Sequence, residues 1–147
     1  MRGQLFQCDP ACRAQVLAVL KETLEKKSEI VFAYVFGSFL EERPFHDIDV
    51  GVYVTEEAAP WMGLKVLDWA MALEQKLAQS GRRRFPVDVR LLNDAPVTFC
   101  YHVLRGRLLF CRDEERWADW AVRVVTRYLD SKPLRDRALR EAMQSWN

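Results

Sequence analysis

The feature that most constrains the fold is a strand-like run without a charged side chain. It extends from Ile30 to Phe36 and contains only aliphatic and aromatic residues. A strand with one solvated face alternates apolar and polar residues, whereas an unbroken apolar run is typical of a strand buried on both faces. We therefore expect this segment in the middle of a β-sheet that helices cover on both sides.

Further strands are predicted at 48–54 and 86–92, and 107–111 is a shorter candidate. The connection between the first two strands is short and contains Pro44, which leaves little room for a crossover helix. We therefore expect an α+β fold with a small mixed β-sheet covered by helices. The helices are predicted at 10–27, from Pro60 to Ser80-Gly81, from a cap at 93–96 to Gly106, and from Asp113 onwards.

The length of 147 residues predicts a single domain spanning 1–147. Pro133 should interrupt or kink the last helix, which leaves 133–147 as a C-terminal helical tail. In this tail Leu139, Met143 and Trp146 share one face and could either close the core or contact a partner. The aromatic residues before the tail are expected in the core, as their helical spacing suggests: Tyr101, His102, Trp117, Trp120 and Tyr128.

Charge and cysteine usage narrow the class of protein. The net charge of +1 argues against a nucleic-acid binder with a broad basic face, and no direct DNA binding is expected. One basic run, Arg82 to Arg84, is either a solvated loop or a contact for phosphates. The four cysteines form no C-x-x-C pair, and no leader or membrane-spanning stretch is apparent. These observations predict reduced thiols in a cytoplasmic protein with no membrane contact.

Three short pieces of sequence carry the chemistry. Asp47 and Asp49 are two residues apart in a strand and therefore point to the same face. Paired carboxylates are costly to keep ionised without a cation, and oxygen ligands suit Mg²⁺ bound together with substrate phosphates. The turn Gly37-Ser38 offers backbone N–H groups to a phosphate, and Asp88, on another strand, is a third carboxylate. Two Mg²⁺ ions held in this way would serve nucleotidyl transfer.

This combination resembles the DNA polymerase beta-like nucleotidyltransferase superfamily over roughly residues 12–128. It is most similar to the minimal nucleotidyltransferases that act as antitoxins of HEPN-domain ribonucleases. The resemblance implies that Gly37 and Ser38 bind the nucleotide triphosphate, that Asp47 and Asp49 bind metal, and that Asp88 completes the catalytic and metal-binding set. Only eight residues separate Ser38 from Asp47, about two fewer than in many relatives.

The resemblance also implies a reaction: transfer of AMP from ATP to a hydroxyl, in this family a tyrosine, of a HEPN toxin. Two alternatives remain open. A small-molecule adenylyltransferase of the aminoglycoside-modifying kind would need a pocket with several walls, for which the chain has no separate substrate domain. An antitoxin that acts by binding alone would not need three aspartates. In the short loop after Ser38, Arg43 or His46 is a candidate contact for phosphate or partner.

Overall fold

The computed structural model describes residues 3–81 and 84–145, so the predictions for Arg82, Arg83 and Trp146 lie outside the described residues. These described residues form four helices, four strands and two short 3₁₀ turns. The helices are α1 Pro10–Glu25, α2 Lys65–Gln79, α3 Val97–Leu104 and α4 Glu114–Ser145. The strands are β1 Ile30–Phe36, β2 Ile48–Val54, β3 Val87–Leu91 and β4 Arg107–Cys111.

The strands form one mixed sheet in the order β3-β2-β1-β4. β1 pairs antiparallel with both β2 and β4, while β2 and β3 are parallel and are joined through α2. Every residue of β1 is buried, which confirms its predicted place inside the sheet. The α+β fold with a small mixed sheet is likewise confirmed.

Helices cover both faces of the sheet and divide the core into two layers. On one face α1 and α2 bury aliphatic and aromatic side chains such as Leu20, Leu24 and Leu73 against Ile48 and its neighbours. α1 begins where Asp9 predicts, because its carboxylate accepts a 2.7 Å hydrogen bond from the backbone N–H of Cys12. On the other face α3 and α4 pack against the aromatic side of β1.

The predicted start of α2 at Pro60 is wrong. Pro60 lies in a 3₁₀ turn, Ala59–Trp61, and the α-helix begins only at Lys65. Gly63 follows the turn, and glycine disfavours helix by about 1 kcal/mol relative to alanine. Met62 is buried in the core, so packing adds to the backbone hydrogen bonds that Trp61 and Met62 donate to Ala58 and Ala59 in this short segment.

Pro133 does not interrupt the last helix, because α4 continues through it to Ser145. Proline removes one backbone donor and disturbs the carbonyl groups of the preceding turn. Here the carbonyl of Tyr128 accepts hydrogen bonds from the Ser131 hydroxyl at 3.0 Å and the Arg135 guanidinium at 3.2 Å. The carbonyl that loses its helical donor is that of Leu129, four residues before the proline, so these side-chain bonds support the adjacent turn while the helix continues.

Two further expectations fail. Cys8 and Cys12 form a disulfide rather than remaining reduced, because their Cα atoms lie 5.3 Å apart at the start of α1. His102 is exposed rather than in the core, although its ring lies 5.6 Å from that of Phe36. Trp120 is buried as expected, whereas Trp117 is only partly covered.

Within residues 3–81 and 84–145, none of the helices is long and apolar enough to cross a membrane.

Candidate active site

The three predicted carboxylates lie near one another where β2 and β3 begin. Asp49 on β2 is the direct partner of Asp88 on β3 in the parallel register. Directly paired residues of neighbouring strands point to the same face, so these two side chains are neighbours. Asp47 immediately precedes β2 and, two residues before Asp49, belongs to the same face. Their roles in catalysis stay predictions, but the fold places them together.

The charges of this group influence one another. Burial first, and then the nearby carboxylates of Asp47 and Asp88, raise the pKa of Asp49 from 3.8 to about 6, while the Arg90 guanidinium opposes the shift. A carboxyl group with a raised pKa is one whose negative charge lacks compensation. The site therefore favours the arrival of positive charge.

The donor set fits a hard divalent cation by its chemistry, because all three groups offer carboxylate oxygens. In the described part of the chain, however, no three acidic, histidine or cysteine side chains are gathered closely enough to enclose a metal ion. Asp88 is instead paired with Arg90, whose Nε lies 2.9 Å from the Asp88 Oδ2. Asp47, Asp49 and Asp88 are the residues that would hold a cation, and Arg90 competes with it for the Asp88 Oδ2.

The Gly37-Ser38 turn lies against the same carboxylates. Gly37 has φ 84° and ψ −163°, a conformation essentially restricted to glycine. A β-carbon at this position would lie only 2.6 Å from the Asp49 Oδ2, so the absence of a side chain lets the turn approach the carboxylate. The residues after Gly37 form a 3₁₀ turn, Ser38–Leu40.

Hydrogen bonds from α1 stabilise the short loop between the Gly37-Ser38 turn and Asp47. The Arg13 side chain of α1 donates hydrogen bonds to the carbonyls of Phe39, at 2.9 Å, and Glu41, at 2.5 Å. The ring of Phe39 is fully buried, and Phe45 pairs through its backbone with Phe6. The sequence offered no sign of Arg13, because its bonds reach across more than 25 residues.

Two candidate contacts in this loop have different surroundings. Arg43 forms an exposed ion pair with Glu41, and His46 is exposed. Outside the loop, Arg84 is exposed and pairs with Glu74 at 3.4 Å. In the described structure, none of these three side chains contacts the carboxylates of Asp47, Asp49 or Asp88.

Arg90 is the site residue that the sequence reasoning missed. Arg90 lies two residues after Asp88 on β3, so both side chains share a face. Its guanidinium also lies 5.7 Å from the centre of the Phe99 ring on α3. The period-two spacing of Asp88 and Arg90 was visible in the sequence and could have indicated this pair.

Comparison with solved structures shows the same fold. A chain of the complex between the tri-AMPylated HEPN toxin and the MNT antitoxin of Shewanella oneidensis aligns with a TM-score of 0.63 and 18% identity, covering 89% of this chain and 98% of that one. A toxin–antitoxin structure with AMP-PNP aligns with a TM-score of 0.57 and 21% identity, covering 89% and 98%. Both identities are low, so these likenesses concern the fold.

Sequence comparison identifies the family. No protein of curated function matches the chain. The family described as "Polymerase beta, Nucleotidyltransferase" matches residues 19–115, a segment that contains the Gly37-Ser38 turn and all three aspartates. Because this match spans more than half of the 147 residues, the chain belongs to the polymerase beta nucleotidyltransferase family.

Proposed function

We propose that this protein is an antitoxin that transfers AMP from ATP to a tyrosine hydroxyl of a HEPN ribonuclease toxin in a magnesium-dependent reaction. The observation that carries the proposal is the in-register pairing of Asp49 with Asp88 beside the Gly37 turn. The fold likeness to a chain of a complex that contains an AMPylated toxin supports the choice of acceptor.

The reaction needs few chemical groups from the protein. The acceptor oxygen forms a bond to the α-phosphorus of ATP while the bond from that phosphorus to the bridging oxygen breaks, and pyrophosphate leaves. The acceptor's proton passes to one of three carboxylates, those of Asp47, Asp49 and Asp88. Asp47, Asp49 and Asp88 would hold Mg²⁺, which would supply neutralisation of the negative charge that develops during the transfer. Gly37 and Ser38 hold the triphosphate against these carboxylates.

A protein acceptor agrees with the outer surface of α4. Leu139 and Met143 are 61% and 64% exposed, so they do not close the core. Leu134, in the same stretch, is 69% exposed. Apolar side chains at helical spacing on an exposed helix are suited to a groove on a partner. We propose that this stretch of α4 contacts the toxin while the carboxylates act on it.

The test is the intact mass of the toxin co-purified with this protein, measured before and after addition of ATP and Mg²⁺. We expect an increase by one or more AMP units. The variant Asp47→Asn with Asp49→Asn should bind the toxin without modifying it, because the charge that neutralises the cations is lost. Asp68→Asn with Asp119→Asn removes two exposed carboxylates elsewhere and should leave transfer unchanged.

Two outcomes would contradict the proposal. If the mass of the toxin does not change and the Asp47→Asn, Asp49→Asn variant still neutralises it fully, the protein acts by binding alone. If the toxin stays unmodified while a small hydroxyl compound such as an aminoglycoside accepts AMP, the protein is a small-molecule adenylyltransferase.

A further inference from the structure

Arg90 lies where a cation would have to bind. Its Nε is 2.9 Å from the Asp88 Oδ2, and its positive charge also counteracts the raised pKa of Asp49. Gly51, its direct partner on β2, has no side chain that could hold the guanidinium in place. Arg90 therefore acts as a counter-ion for the carboxylates in the structure described here.

The pair between Arg90 and Asp88 can be exchanged. The two side chains are 59% and 39% exposed, and an ion pair open to water contributes little stability. A divalent cation on Asp88 would repel the guanidinium at this distance and so weaken the ion pair. Departure of Arg90 would free the Asp88 Oδ2 for the metal ion.

The guanidinium has a second contact that does not depend on Asp88. Arg90 lies 5.7 Å from the centre of the Phe99 ring, and Phe99 packs edge-on against Phe36 at 5.6 Å. Phe36 is the direct partner of Asp49 on the neighbouring strand, so this aromatic pair borders the carboxylates. A guanidinium stacked on an aromatic ring keeps its N–H groups free for phosphate oxygens.

We propose that Arg90 exchanges partners when the nucleotide binds: it releases Asp88 to the metal ion and then holds a phosphate of the nucleotide from its place beside Phe99. In the absence of nucleotide, Arg90 would weaken metal binding, so metal and nucleotide enter together. This inference rests on the nucleotide site of the proposed function, but not on the identity of the acceptor.

The experiment measures Mn²⁺ binding to the protein without nucleotide, from the loss of the free-ion signal in electron paramagnetic resonance. Arg90→Gln removes the charge and keeps a polar side chain. We expect it to bind Mn²⁺ about threefold or more tightly than the unchanged protein. Arg116→Gln is the matched control, because Arg116 is also an exposed arginine in an ion pair, with Asp113, and makes no described contact with Asp47, Asp49 or Asp88.

A second measurement tests the phosphate contact. Calorimetry with AMP-PNP and Mn²⁺ together should show Arg90→Gln binding the nucleotide about fivefold or more weakly, while Arg116→Gln behaves as the unchanged protein. Equal Mn²⁺ affinities for Arg90→Gln and the unchanged protein would overturn the counter-ion role. Unchanged or tighter AMP-PNP binding would overturn the exchange of partners.

Neither measurement requires toxin or transfer of AMP. If Arg90→Gln behaves as expected while no toxin is modified, the proposed function fails and this inference stands. Loss of Mn²⁺ binding in Asp88→Asn, measured alongside, establishes that the ion whose affinity changes is the one at Asp88.

Discussion

Replacing Gly37 with alanine should disturb the site through one atom. The new β-carbon would lie 2.6 Å from the Asp49 Oδ2, well inside van der Waals contact, while the remaining Asp49 atoms nearby, Cγ and Cβ, lie at 3.6 and 3.8 Å. The backbone of Gly37, with φ 84° and ψ −163°, is also one that a residue with a side chain rarely adopts. We therefore expect two separable costs, one of conformation and one of contact.

The magnitudes of these costs differ. A side chain in a glycine-only region of backbone conformation costs about 1–3 kcal/mol. Forcing the Asp49 carboxylate away from its preferred rotamer adds about 0.5–1.5 kcal/mol. Gly37→Ala should thus lower the free energy of unfolding by about 3 kcal/mol, less than the total stability of an ordinary domain. Since the displaced group is a carboxylate of the site, transfer should fall by about 100-fold or more.

Urea denaturation followed by tryptophan fluorescence measures the stability, and the initial rate of AMP transfer measures the activity. Gly81→Ala is the matched control: Gly81 has φ 85°, but nothing lies within 4 Å of the added β-carbon. It should cost about 1–2 kcal/mol and leave transfer unchanged. In an Asp49→Ala background the cost of Gly37→Ala should shrink by the contact contribution, about 1 kcal/mol.

The reasoning would be refuted by either of two results. One is a Gly37→Ala variant no less stable than Gly81→Ala. The other is an equal cost of Gly37→Ala with and without the Asp49 carboxylate, which would mean that the close approach of turn and carboxylate has no energetic consequence.

Three further predictions concern stability, each measured by urea denaturation. The pKa of Asp49 is about 6 in the folded protein against an ordinary value of 3.8, so the folded state binds the proton more tightly. The free energy of unfolding should therefore fall as pH rises from about 4 to 6, by about 1 kcal/mol because the carboxyl group is partly exposed. Asp49→Asn should abolish this fall. Asn93 bonds both the N–H and the carbonyl of Val54 at 2.9 Å, so Asn93→Ala should cost about 2 kcal/mol, and a neutral result would contradict this bridge. Trp117 Nε1 donates to the Tyr34 hydroxyl at 2.7 Å, so Tyr34→Phe should cost about 1 kcal/mol and change the fluorescence of Trp117; an unchanged spectrum would count against the contact.

The parts of the fold that the sequence predicts well are those with local causes. The bounds of β1 follow from seven consecutive apolar residues, and the start of α1 follows from Asp9 and Pro10. The start of α2 depends on Met62 packing into a core whose other members are distant in sequence. Pro133 would be expected to end α4, because it cannot donate to the Leu129 carbonyl, yet the helix continues to Ser145 and no local pattern indicates this.

The candidate site divides in the same way. The spacing of Asp47 and Asp49 fixes their common face, since side chains alternate along a strand. That Asp88 should lie directly beside Asp49 depends on the register between β2 and β3, which is set by packing across the sheet. The Arg13 hydrogen bonds beneath the loop depend likewise on how α1 lies on the sheet, and sequence spacing carries no information about it.

The parallel pairing of β2 with β3 has a consequence for how quickly the protein can become active. β1 and β2 are linked by a short loop and can pair early, whereas β3 reaches β2 only after the chain has passed through the whole of α2. Pairings between strands distant in sequence close slowly because the loop entropy must be lost before any contact is gained. The neighbourhood of Asp49 and Asp88 is therefore among the late products of folding. We therefore expect the hairpin of β1 and β2 to form before Asp49 and Asp88 become neighbours.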